Sequence, residues 1–132
     1  MIHSLLELLG AFYQTGNLGQ MELVARNLLH TIPGDLVALQ FLGLALHQMG
    51  RTRDAYAVFR KAAMLDRVGA LHARGSGAIE SASAALYRAA TRPGSRLAEG
   101  WSHLGHVVAH YGFKDLASRA MRAAQRTRVA GT

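Results

Sequence analysis

The sequence contains no cysteine. That single absence excludes a disulfide framework, a thiolate metal site and a cysteine nucleophile. Proline is nearly absent too, at two of 132 residues, while half the chain is apolar. Such a composition favours a folded chain over a disordered one. The length fits one domain able to bury a core without covalent staples. A secretory leader would need a basic start followed by an unbroken apolar core. Here Glu7 interrupts the leucines, and the first arginine is Arg26. The most apolar stretch, Leu36 to Leu46, is broken by Gln40 and is too short to span a bilayer. These features lead us to expect a soluble protein of the cytoplasm, with no membrane partner.

Acidic residues are in the minority, so the formal net charge is +7, and thirteen of the fifteen basic residues are arginine. A basic balance fits an acidic protein, an anionic surface or a nucleic acid. The cations are spread out and nowhere form a run of five. We read them as a soluble surface in a bacterial, arginine-preferring style of composition rather than a nucleic-acid footprint. Two arginine series fall near helical spacing: Arg88, Arg92 and Arg96, then Arg119, Arg122 and Arg126. They are either a solvated outer face or a site for acidic or phosphate-bearing partners.

Catalytic patterns are missing. In Gly100-Trp101-Ser102-His103-Leu104-Gly105 the second glycine stands one place too late for a nucleophile elbow. The glycines from Gly69 to Gly77 lack the Lys-Ser/Thr of a phosphate-binding loop, and no His-Glu-x-x-His occurs. His103, His106 and His110 share one segment, and His106 and His110 share a face that could offer two ligands to zinc. A complete site needs more ligands than these. The sequence therefore predicts no enzyme, no cofactor and no bound metal.

What the chain does contain is a repeat. Leu5, Leu8, Phe12, Gly16, Met21, Ala25 and Leu28 recur 34 residues later as Leu39, Leu42, Leu46, Gly50, Ala55, Phe59 and Ala62. A further copy lies 62 residues on, at Trp101, Leu104, Gly105, Gly112, Ala117, Met121 and Ala124. Sixty-two is six short of two periods, which places one shortened repeat between them. Within each copy the apolar residues follow helical spacing. Gly16, Gly50 and Gly112 fall between paired helices, where a left-handed C-terminal cap suits glycine. Asp35 and Ser95 follow Pro-Gly pairs and are candidate N-caps, with Thr52 another. The spacing predicts helices near 2–15, 19–31, 36–48, 52–66, 79–91, 97–111 and 114–127. A loop or truncated helix is expected between Arg67 and Gly77.

This series resembles the tetratricopeptide repeat family. Leu39, Leu42-Gly43, Leu46, Ala55, Phe59 and Ala62 match its pattern best, and Trp101, Leu104-Gly105, Val108, Ala117, Met121 and Ala124 follow it. The resemblance implies an all-α fold: a right-handed superhelical α-solenoid of stacked antiparallel helix pairs, about seven helices, with a degenerate third repeat. The repeats would run over 2–35, 36–69, 70–97 and 98–131 of a single domain. Gly43 and Gly105 would let the paired helix approach closely, with Phe59 behind the crossing.

The resemblance also implies a function. First helices of such pairs line a concave groove that holds a partner's peptide or helix. Carried over by register, that groove would show Leu6, Tyr13, Gln14, Val37, Gln40, Leu44, His47, Gln48, Ser102, His106 and His110. No Lys, Arg or Asn stands among them, so the family's clamp for a free carboxyl terminus is not expected. The expected partner is thus a protein or peptide, and the expected role that of an adaptor. An accessory module of an enzyme or assembly complex is the alternative. The leucine-rich first helix and the uncapped end would suit self-association.

Overall fold

Ten consecutive residues, Val37 to Leu46, are all buried in one helix. A helix that is apolar on every face must be surrounded, and this one organises the fold. A computed structural model describes residues 2–73 and 82–128, with side chains placed for 4–67 and 84–128. Seven helices are described: α1 (Ile2–Gln14), α2 (Leu18–Thr31), α3 (Leu36–Gln48), α4 (Thr52–Ala73), α5 (Ala82–Ala90), α6 (Ala98–His110) and α7 (Lys114–Arg128). No strand occurs among the described residues.

Local signals fixed most helix ends. Asp35 accepts a hydrogen bond from the Ala38 amide at 2.9 Å, capping α3. Gly16, Gly50 and Gly112 have φ of 76°, 82° and 91° between paired helices, a left-handed region that side chains disfavour. The other two proposed caps need correction. Ser95 Oγ accepts from the Leu97 amide, within a turn that precedes α6. Thr52 is already the first residue of α4. The loop expected from Arg67 is also corrected, because α4 continues unbroken to Ala73. Gly69 costs a helix interior only about 1 kcal/mol, and no proline stops it. Residues 74–81 of the shortened repeat lie outside the described residues.

Paired helices cross where the sequence placed glycine. A Cβ on Gly43 would stand 2.7 Å from Phe59 Cζ, and one on Gly105 2.9 Å from Met121 Sδ. Both separations are too short to exist, so α3–α4 and α6–α7 approach through glycine. The helices α1, α2, α3 and α4 pack in chain order, each against the next. The remaining helices do not simply extend this row. Besides its chain neighbours, α3 meets α5 and α6, and α1 meets both as well. In an open solenoid each repeat touches only its neighbours, whereas here first-pair residues meet the last pair.

Trp101 marks the closure. It is fully buried, its indole Nε1 donates to the Ala90 carbonyl at 3.0 Å, and its ring meets Phe41 edge-on at 4.9 Å. One residue earlier, a Cβ on Gly100 would stand 2.6 Å from Phe41 Cε1. Thus α6 lies hard against α3.

Candidate functional site

The residues expected to line an open groove lie largely on the seam between α6 and the α1/α3 layer. Gln40, Leu44 and Val37 are fully buried, and Leu6 is nearly so. This corrects their assignment to a partner-binding surface: the chain covers them itself, where α1 and α3 meet α5 and α6. Gln40 Nε2 donates to the Leu36 carbonyl at 3.3 Å, and its Oε1 accepts no hydrogen bond among the described residues. Such a group is costly inside a protein. Gln40→Met is therefore expected to raise the unfolding free energy, by up to about 1 kcal/mol. A denaturant midpoint that falls would contradict the placement.

Tyr13 and His47 are engaged within the chain. The Tyr13 hydroxyl is hydrogen-bonded to His103 Nδ1 on α6, and Gln48 Nε2 donates weakly to the same hydroxyl at 3.5 Å. Burial raises the Tyr13 pKa above the ordinary tyrosine value, against the opposing Gln48 hydrogen bond, which keeps the phenol protonated. His47 Nδ1 bonds the Tyr111 hydroxyl at 2.9 Å, and burial likewise raises the Tyr111 pKa. Gln14 donates to the Arg96 carbonyl at 3.3 Å. The Gln48 contact ties α3 to α1, and the others tie α1 or α3 to α6 or its flanking loops. Tyr13→Phe keeps the ring and removes the hydroxyl. Its expected cost is about 0.5–1.5 kcal/mol, read as a shift in the urea midpoint.

Ser102 is half-buried, while His106 and His110 are exposed on α6. The His110 ring meets Tyr111 edge-on at 5.9 Å. No group of three or more metal-ligating side chains comes together among the described residues.

The arginine series divides by use. Arg92 and Arg96 face Glu7 of α1, at 3.8 and 3.7 Å. Arg119 binds Asp66 of α4 at 2.6 Å and lies over the Tyr87 ring. Elsewhere Glu22 bridges Arg26 and Arg51, and the Arg26 hydrogen bond is the main cause of its lowered pKa. A depressed carboxylate contributes stability above its unfolded pKa and loses it as pH falls through the folded value. Glu22→Gln is therefore expected to shrink the loss of melting temperature on acidification below about pH 4.5. Parallel losses in both proteins would show that Glu22 carries none of it.

Open surfaces include a hollow of about 620 Å³ on α1 around Leu8 and Arg96, and the outer side of α4 with its junction to α7. A cleft of about 680 Å³ runs between them, lined from α4 by Ala63, Asp66 and Arg67 and from α7 by Lys114, Leu116, Arg119 and Arg122. Phe113 also lines it. A second hollow, of about 520 Å³, lies on α4 alone around Tyr56, Arg60, Lys61 and Met64. Tyr56 and Phe113 connect the two, with ring centroids 5.5 Å apart. Tyr56 is 46% exposed and Met64 61%. The groove reading passed over these residues. Their signal was the spacing of Tyr56, Arg60, Met64 and Arg67, a mixed apolar and basic stripe on one helical face.

No family model, curated protein or solved structure matches the chain. Among the described residues, no helix is long and apolar enough to cross a membrane.

Proposed function

We infer that this chain is a non-catalytic, tetratricopeptide-like interaction module of the cytoplasm that binds another protein on its outer surface. The observation that carries the reading is the division of its two faces. The inner face is partly taken up by contacts to α6 through Trp101, Tyr13–His103 and His47–Tyr111, with Gln14, Gln48, His106 and His110 left exposed. The outer face leaves Tyr56 and Met64 exposed beside clefts of binding size, in the range of about 300–1,000 Å³. Large apolar side chains kept in water among charges mark interaction surfaces. Repeat phasing supports the same reading, since stacked helix pairs serve as rigid display surfaces.

Affinity capture from native lysate, with cross-linking before lysis, tests it. A partner should be retained by the native chain and by Gln48→Ala and His110→Ala. It should be lost with Tyr56→Ala/Met64→Ala. Loss with the first two variants and retention with the last would restore a groove site. Recovery of a turnover activity with the purified chain alone would contradict the non-catalytic reading.

A further inference from the structure

The two carboxylates of α4 itself are already taken. Asp54 is held by Arg51 at 3.0 Å and Asp66 by Arg119 at 2.6 Å. By contrast Arg60, Lys61, Arg67, Lys114 and Arg122 have no ion-pair partner among the described residues. All five are exposed, and all five line one or other of the two α4 hollows. Three of these cations, Arg67, Lys114 and Arg122, thus line a cleft whose lining also includes apolar Ala63 and Phe113.

We propose that the α4–α7 cleft is a docking site for an acidic peptide segment carrying an aromatic or large aliphatic anchor. The proposal rests on the interaction-module reading and names the partner's chemistry. Two features select this occupant. Guanidinium groups recognise carboxylates through paired N–H donors, and Arg67 and Arg122 supply them from two helices. Apolar lining rewards a buried anchor, as hot spots at interfaces do. A nucleic acid fits less well. Its phosphates gain nothing from Phe113, and Asp115 at the cleft would repel a continuous phosphate track. An acidic peptide can place its carboxylates one by one against the unpaired cations.

The test is selection of a random-peptide display library on the folded chain, with binding of the selected peptides then measured on variants. Enriched peptides should carry several Asp or Glu residues around one Phe, Trp or Leu. Their affinity should fall at least tenfold with Arg67→Glu/Arg122→Glu and less with Arg67→Gln/Arg122→Gln. Amide shifts on binding should cluster at 60–67 and 112–122. Both variants alter exposed side chains, and circular dichroism melts confirm that they fold. Failure to enrich any peptide, enrichment without acidic residues, or equal binding to Arg67→Glu/Arg122→Glu would overturn the proposal. So would an oligonucleotide of matched charge that displaces the peptides and itself depends on Arg67 and Arg122. If a natural partner is captured through Tyr56 and Met64 yet ignores Arg67→Glu/Arg122→Glu, the module stands and this cleft assignment falls.

Discussion

Trp101→Ala is expected to lower the unfolding free energy by about 3–5 kcal/mol, the range for removing a large buried aromatic. Three losses combine. The indole is fully buried, so its deletion leaves a cavity between α3, α5 and α6. Its hydrogen bond to the Ala90 carbonyl disappears, leaving that carbonyl unpaired. The edge-on contact with Phe41 goes as well. Domains are stable by only about 5–15 kcal/mol, so the variant should unfold well below the native midpoint, read by urea titration of circular dichroism. Loss of α6 docking should also expose the Tyr13 hydroxyl. Its ultraviolet titration should then move down toward the ordinary tyrosine value. A cost under about 1 kcal/mol would mean that Trp101 is not the buried hinge of the fold.

Gly43→Leu is the second large effect, with an expected cost of about 1–3 kcal/mol. Even a Cβ would lie 2.7 Å from Phe59 Cζ, and Phe59 is fully buried with Tyr111 5.5 Å away. The ring has nowhere to go. Gly105→Ala offers a contrast at the equivalent crossing. There the obstacle is Met121, a flexible side chain that is 36% exposed and can swing aside. The gain in helix propensity, about 1 kcal/mol over glycine, then offsets most of the crowding. In a Phe59→Ala background Gly43→Leu should cost less, and the double-mutant cycle measures that coupling. Equal costs at both glycines would contradict the assigned crossings.

These two residues illustrate how far the sequence could be read. Gly43 with Phe59 and Gly105 with Met121 are contacts within one helix pair, and a repeat period reveals them because each copy makes the same crossing. Helix existence was legible for the same reason, as were the Asp35 cap and the glycine-terminated helix ends. The docking of α6 on α1 and α3 is different in kind. It joins residues about ninety positions apart, such as Tyr13 and His103, and no local period encodes it. Two signals did point there. Segment 36–46 is apolar apart from Gln40, which suits a surrounded helix and not a groove wall. Gly100 stands within α6 beside Trp101 and allows the close approach to Phe41. Reading groove positions from family register alone placed Gln40 and Leu44 on a surface that the chain covers itself. The outer face was missed because scattered arginines look alike until structure shows which are paired. Arg92, Arg96 and Arg119 have carboxylate partners, while Arg67 and Arg122 have none among the described residues.

The account turns on α1 lying against the α5–α6 junction, and the absence of cysteine makes that directly measurable. A Cβ on Gly10 would stand 2.9 Å from Arg96 Cβ, within about 1 Å of the Cβ spacing of a disulfide. In an open stack these segments would be on the order of 20 Å apart, two helix-packing distances. Gly10→Cys/Arg96→Cys should therefore oxidise in mild air to an intramolecular disulfide, seen as a faster-migrating monomer on non-reducing gels and absent from either single variant. A double variant that stays reduced, or forms only intermolecular dimers, would contradict the closed arrangement.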